Sequence, residues 1–411
     1  MFKPLSHHTT PNKANTVSIS LLLTGIMAAT YGFGVYLFPL ILVDIKTELA
    51  ISYAEIALIA GISQMGYMIG SFLCSLFSSK LSSSTIILGS ALFSGICLLT
   101  LALVSNIWLI CLLLLMLRAF SALVWVPMVT IVSQQIIFNH RSTVLSIASG
   151  GGNYGIFLNG LLCIYLLPLS GWRSIWVVTG IVTLCIVLGS YLYFRNMNLH
   201  QIPSHTKKSK SETSSTPNFS FFAPTTISLL IIIFLSGLIF IPFLTYLIPY
   251  LREDLNFSAQ FSGSVWSIIG FIGMGSGIIL GIIADRIGIK KVLFFVSVSA
   301  SVSALLLCFT DQKSLVLLSS VLFAFICSAI FGLPSAYIAK VYSPKKMTAF
   351  SGFANFAMGL GMMLGNYFGG WIKSISGSFF IFYLCIAISV LLLIPLILIL
   401  PNEKSKYLPA I

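Results

Sequence analysis

The sequence predicts an all-α membrane protein of twelve spanning helices, arranged as two similar six-helix halves. Three observations predict it. The composition is nearly devoid of charge, apolar runs of spanning length follow one another along the whole chain, and the two halves match at one constant shift.

The chain has 411 residues, 58% of them hydrophobic and 8% charged. Soluble domains carry about a quarter charged residues. Nine acidic and 22 basic side chains cannot wet a soluble protein of this size. The net charge of +13 does not point to nucleic acid, because the charges sit in short clusters between apolar runs and not on one polar face. Such clusters are what loops beside a membrane carry. The eight cysteines all fall inside apolar runs and form no CxxC pair. They are expected to be small core residues and not disulfides or metal ligands.

The elements follow in order. Residues 1–16 form a polar tail; the apolar run behind it is longer than a signal-peptide core and lacks an A-x-A site, so the first helix is expected to be retained. Residues 17–195 hold the first bundle, with spans Val17–Val43, Ile56–Phe77, Thr85–Val104, Ile107–Ile136, Val144–Leu167 and Ile175–Phe194. Residues 196–224 contain HTKKSKSETSSTPN, a polar, basic stretch that reads as a flexible linker. Residues 225–400 hold the second bundle, with spans Ile227–Tyr250, Ser262–Ile283, Val292–Phe309, Leu315–Ala339, Phe350–Ile372 and Phe379–Leu400. Residues 401–411 form a second tail. Each run reaches the roughly 20 residues that a bilayer core requires.

An even number of crossings puts both tails on one side. That side collects sixteen lysines and arginines, whereas the opposite loops hold five: Lys46, Arg173, Arg252, Lys313 and Lys373. Basic residues favour the cytoplasm, so both termini are expected there. The remaining basic residue, Arg118, lies inside a span.

The repeat has a shift of about 206 residues. Glu48-Leu49-Ala50-Ile51-Ser52 aligns with Asp254-Leu255-Asn256-Phe257-Ser258, and Gly70-Ser71 with Ser276-Gly277. Lys80 aligns with Arg286, Gly155 with Gly361 and Gly171 with Gly377, while Pro127 and Pro334 agree within one residue. Six spans separate equivalent points, so the halves share one orientation, as in a parallel repeat about the membrane normal.

On these residues the chain resembles the major facilitator superfamily over nearly its whole length. The loop after the eighth span, Gly281-Ile-Ile-Ala-Asp285-Arg286-Ile-Gly288-Ile-Lys290-Lys291, is similar to the family's motif A, G-x-x-x-D-R-x-G-[RK]-[RK], with one departure at Ile289. The resemblance implies a gating loop. Gly281 is expected to let helices pack closely, Asp285 to sit at a helix N-terminus, that of the eleventh span, and Gly288 to make the turn. Arg286, Lys290 and Lys291 are expected to face the cytoplasm. The first-half copy, Ser75-Leu-Phe-Ser-Ser79-Lys80-Leu-Ser82-Ser83, lacks both the acid and the glycine. Leu117-Arg118-Ala119 resembles motif B, an arginine followed by a small residue, and Gly171-Trp172-Arg173 another recurring element. Gly150-Gly151-Gly152-Asn153-Tyr154-Gly155 is glycine-rich like motif C of the antiporter branch but has no Gly-Pro pair.

Arg118 is the sharpest single residue. It lies 11 residues into its span, about 16 Å deep at 1.5 Å per residue, near the middle of a core roughly 30 Å thick. A charge at that depth faces a cavity or a partner. Two readings stand: a forked hydrogen bond to a carboxylate on the substrate, or a structural tie to carbonyls and polar side chains. No acid lies in the middle of any span and all five histidines lie outside the spans. Glu55, at the outer end of the second span, is the best available proton carrier; its structural reading is a first-turn acid favoured by the helix dipole. Tyr31, Tyr36, Gln64, Trp125, Asn153, Tyr246, Trp266 and Asn355 are the other polar or aromatic candidates at cavity depth, and with Arg118 they make up the expected substrate site. Frequent glycines in the eighth and eleventh spans read as sites of close helix approach.

An intramembrane enzyme would need clustered His, Asp or Glu near one interface, and a nucleotide-driven pump a G-x-x-x-x-G-K-[ST] loop. The chain has neither. No catalytic residue, cofactor or metal is expected. The expectation is a monomeric carrier of a small organic solute, with a carboxylate-bearing anion the favoured case, with no nucleic-acid partner, embedded in the lipid bilayer of a bacterial inner membrane. The alternative is an efflux carrier of drug-like molecules or metabolites working by proton antiport.

Overall fold

The computed structural model describes residues 13–77, 80–136, 138–196, 224–327, 333–334, 336–337 and 344–401. Most of the linker, both polar tails and Ser79 lie outside them. Among the described residues there is no strand. Span 1 is α1 (Lys13–Met27), a π-helical turn (Ala28–Phe33) and α2 (Gly34–Leu49). Spans 2, 3 and 4 are α3 (Tyr53–Phe77), α4 (Ser83–Leu103) and α5 (Ile107–Gln135). Span 5 is broken at Gly150 into α6 (Phe138–Ser149) and α7 (Gly151–Tyr165), and span 6 is α8 (Leu167–Asn196). Spans 7 to 9 are α9 (Pro224–Pro249) with a π turn at Tyr250–Asp254, α10 (Ala259–Ile287) and α11 (Ile289–Cys308). Span 10 begins with α12 (Lys313–Cys327), span 11 is α13 (Pro344–Ser376) and span 12 is α14 (Phe380–Ile399).

Helix ends follow local chemistry. Ser82, Asn106 and Ser258 cap α4, α5 and α10 with side-chain oxygens that accept from backbone N–H groups, which would otherwise be orphans. Ser52 and Glu55 form a reciprocal capping box at the start of α3. Breaks occur at Ala50 (φ 52), Asn256 (φ 55), Gly171 (φ 70) and Gly377 (φ 73). These form two pairs, each separated by the 206 residues of the repeat. The duplication is therefore written into the backbone dihedrals as well as the sequence.

Packing repeats the same symmetry. Span 1 packs on 5 as 7 packs on 11, 2 on 4 as 8 on 10, and 3 on 6 as 9 on 12. The halves meet where 2 touches 11, where 5 touches 8, and where 1 touches 7. Glycine makes these approaches possible. A methyl group on Gly155 would overlap the Gly32 backbone, and one on Gly70 the Ala119 backbone. Gly270 lies against the backbone of Phe157 and Asn153, and Gly370 against Tyr53 and Ala57 across the midline.

Among the described residues, the close glycine contacts between the halves lie on one side. They run from the loops remote from the chain ends, here the distal side, to about Gly273 on span 8 and Gly359 on span 11. Two turns beyond Gly273, Gly281 meets nothing within 4 Å. The close packing expected of Gly281 is not made among the described residues. The cysteine expectation is likewise corrected in part. Cys74, Cys97, Cys111 and Cys163 are buried, but Cys185 and Cys385 face outward, where lipid accepts a thiol as readily as a core does.

Charges latch the distal side. Arg252 grips Asp44 with both guanidinium nitrogens, one at 3.0 Å, and Lys46 pairs with Glu253 at 3.1 Å. Both pairs join spans 1 and 7, hence the two halves. Within each half, an acid at the equivalent position docks on the start of the last span. Glu48 accepts from Trp172 Nε1 at 2.6 Å and pairs with Arg173; Asp254 accepts from Ser378 Oγ at 2.8 Å and Phe379 N at 2.6 Å and pairs with Lys373. The Gly171-Trp172-Arg173 element thus has a mechanical role.

Gly155→Ala should lower the unfolding temperature in detergent, with a loss of about 1–3 kcal/mol from overpacking. Gly89→Ala, which meets nothing within 4 Å, should leave it unchanged or raise it slightly through helix propensity. In a double-mutant cycle, Asp44→Ala and Arg252→Ala should couple by ~1 kcal/mol; additive losses would show that the pair does not hold the halves together.

Candidate functional site

The close crossing of spans 2 and 4 builds the site. Gly66 and Gly70, four residues apart, lie on one face of α3. Gly66 lies against the Leu115 carbonyl, and a methyl group there would come 3.1 Å from Arg118 Cβ. Gly70 receives Ala119. This explains the arginine-then-small pattern: Ala119 allows the backbones to touch, and Arg118 leaves the crossing beside it. The Ser121 hydroxyl donates to the Arg118 carbonyl at 2.8 Å.

Two tyrosines neighbour the guanidinium, and a third stands behind one of them. Tyr31 and Tyr36 of span 1 are its electrostatic neighbours. Tyr31 in turn neighbours Tyr67 on span 2 and Ser121 on span 4. Arg118, Tyr31 and Tyr67 lie deep in the protein, yet they and Tyr36 are each only half-buried. Depth combined with access describes the wall of an internal opening. Among the described residues, no ion pair joins Arg118 to a carboxylate.

The π-helical turn positions Tyr31. Its extra residue widens span 1, and the backbone there finds other partners. The Gly32 carbonyl accepts from Asn159 Nδ2 of span 5 at 2.8 Å. Gly32 also meets Gly155 backbone to backbone. Asn159 is fully buried, and its Oδ1 has no partner among the described residues.

The other expected residues are dispersed. Trp125 is half-buried and packs on the cluster of Ile26, Met27, Val124 and Met128 that Tyr31 also covers. Gln64 is 1% exposed, with Oε1 unpartnered among the described residues, on the side of α3 from which Met68 meets Gly359 of span 11. Asn355 is exposed on α13, one turn from Gly359 and on its face. Asn153 Nδ2 donates to the Gly273 carbonyl at 3.0 Å and ties spans 5 and 8 across the midline. Tyr246 and Trp266 are not at the opening. The Tyr246 hydroxyl donates to the Asn366 carbonyl and its ring stacks on Phe379, and both residues are 0% exposed. Glu55 is exposed at the distal surface and engaged by Ser52. It stands 11 residues from Gly66, about 16 Å along the helix from the Arg118 crossing.

The motif A residues lie on the opposite face. Gly288 takes φ 99 and separates α10 from α11. Asp285, Arg286 and Lys291 are exposed. Lys290 departs from the expected outward course: its ammonium donates to the Leu398 and Leu400 carbonyls at 2.7 Å each and caps the end of span 12.

Sequence reasoning missed Tyr67, Ser121 and Asn159, as well as the roles of Asp44, Arg252, Glu253 and Lys373. For the latch a signal existed. Four of the nine acids crowd into residues 44–48 and 253–254, at matching places in the two halves. Tyr67 carried no comparable signal, being one aromatic in an apolar helix.

Known proteins share this architecture. The nucleoside transporter NupG superposes with a TM-score of 0.71 over 95% of this chain and 99% of its own, at 16% identity. A bacterial homologue of the human lysosomal transporter Spinster, in an inward-facing and occupied conformation, does so with 0.73 over 96% and 98%, at 14% identity. A putative metabolite transport protein of Haemophilus influenzae is 25% identical over 289 residues, 66% of this chain and 68% of its own. An MFS-type transporter of Aspergillus fumigatus is 29% identical over 115 residues, 28% of this chain and 26% of its own. The family model of the Major Facilitator Superfamily matches residues 22–314 and 276–410. Twelve spans, the two-fold repeat and this match together make the chain a member of the Major Facilitator Superfamily, a multi-pass membrane transporter of small solutes.

Proposed function

We propose that this transporter moves a small organic anion bearing a carboxylate, bound by Arg118 and the tyrosines around it. The observation that carries the reading is a deep, partly accessible guanidinium with no carboxylate beside it among the described residues. A cation at that depth needs a partner, and a forked carboxylate matches a guanidinium best. The phenol hydroxyls of Tyr31, Tyr36 and Tyr67 can add hydrogen bonds to the same oxygens or to hydroxyls on the solute. The two readings of Arg118 also coexist: its backbone packs the crossing while its head group remains available.

The halves, divided at the polar linker of residues 196–224, work by alternating access. With both termini in the cytoplasm, as the lysine and arginine bias favours, the latched distal side is the outside and the open side the cytoplasm. The arrangement is then the inward-facing one. Glu55 is a helix cap in this reading and carries no proton. Efflux by proton antiport is disfavoured by the lack of any acid or histidine in the middle of a span.

Arg118→Ala should reduce transport to background while leaving membrane insertion intact, and Tyr67→Phe should reduce it about tenfold, the cost of one hydrogen bond to a charged group. Thermal shift of the purified protein should show stabilisation by lactate, succinate or glucuronate but not by uridine or tetraphenylphosphonium. Stabilisation by the cation alone, or full transport by Arg118→Ala, would overturn the proposal.

A further inference from the structure

The site raises a question of coupling. Arg118 is the one basic residue in the middle of a span, and all nine acids lie in tails, loops or helix ends. The side chains that neighbour the guanidinium, Tyr31 and Tyr36, are phenols and not carboxylates. No group among the described residues neutralises the charge.

In the present state Arg118 is partly exposed, so its guanidinium can keep water. Alternating access requires the side of the chain ends to close before the latch of Asp44–Arg252 and Lys46–Glu253 releases. Between the two lies a state shut at both ends. Closing on an empty site strips the water from Arg118 and supplies no counter-charge. Closing on a bound carboxylate supplies one. A lone cation at mid-membrane is disfavoured by on the order of a hundredfold in equilibrium terms, so the empty carrier rarely passes through the shut state.

We infer that the protein is an exchanger: it returns across the membrane only with a second carboxylate on Arg118, and net one-way flux is slow. The inference rests on the carboxylate reading of the site. It adds the direction of coupling, anion against anion, which the fold leaves open. No proton or metal ion enters the cycle. One carboxylate leaves Arg118 on one side and another takes its place before the site turns back.

The test uses the full-length protein in liposomes with labelled lactate, succinate and glucuronate, each assayed separately. Potassium sulfate and valinomycin on both sides hold the membrane potential at zero. The lumen contains either the same unlabelled acid or sucrose. Uptake of at least one acid should be tenfold or more faster into acid-loaded liposomes. Equal rates with both lumens would overturn exchange while leaving the carboxylate reading intact. Absence of both binding and flux for all three acids would overturn the reading itself.

A second measurement needs no substrate. Hydrogen exchange at residues 44–52 and 250–258 reports release of the distal latch. Without ligand, Arg118→Gln should exchange faster there than the native protein, because its neutral site crosses the shut state freely, while α11 exchanges at the native rate. Equal exchange in the two proteins would show that the charge of Arg118 does not hold the empty carrier in place.

Discussion

In lipid, a helix gains nothing from burying leucine against leucine, because the surrounding tails are as apolar as the core. What remains is close packing, and here it comes from backbones that touch at glycine. Gly32 meets Gly155, Gly70 meets Ala119, Gly237 meets Met358 and Gly361 meets Phe234. The last three couple spans 2 with 4 and 7 with 11, the same kind of contact used in both halves. The site depends on one of these crossings. Without Gly66, the Leu115 backbone could not come so close, and Arg118 would not leave the helix beside Tyr31 and Tyr36.

The same solvent decides where charge can stand. Loops and helix ends reach water, so the acids gather there and form the distal latch and its two intra-half clamps. These have different mechanical meanings. The clamps of Glu48 and Asp254 join elements of one half and can persist as the halves rock. The pairs Asp44–Arg252 and Lys46–Glu253 cross the midline and must break. Arg118 alone violates the rule, and function is expected where a rule is broken at a cost.

The apolar runs of the sequence made the helices legible, and the constant shift made the symmetry legible down to the dihedrals of Ala50 and Asn256. Arg118 was legible because a charge in an apolar run is conspicuous. Tyr31 could be named but its placement could not be foreseen, since the π turn arises from tertiary contacts of Gly32 with Gly155 and Asn159. Tyr246 and Trp266 illustrate the converse: depth along a helix says nothing about which way a side chain points; both are fully buried, and Tyr246 points into the second bundle. Cys185 and Cys385 mark another limit, since a lipid-facing surface and a core use the same residues. The pairing across the midline joins residues some 207 positions apart, beyond any local pattern.

The distal latch also preserves a history. Its two cations, Lys46 and Arg252, stand at equivalent positions of the repeat. Their acids do not: Asp44 corresponds to Tyr250, and Glu253 to Thr47. A freshly duplicated chain has identical halves, and so would have carried like charges at both equivalent sites. The acids that now hold the halves together record changes made after the copies diverged. The clamps of Glu48 and Asp254, matched in position and acidic in both copies, belong to the older unit. The two halves thus share the means of holding themselves rigid and differ in the acids by which they close on each other.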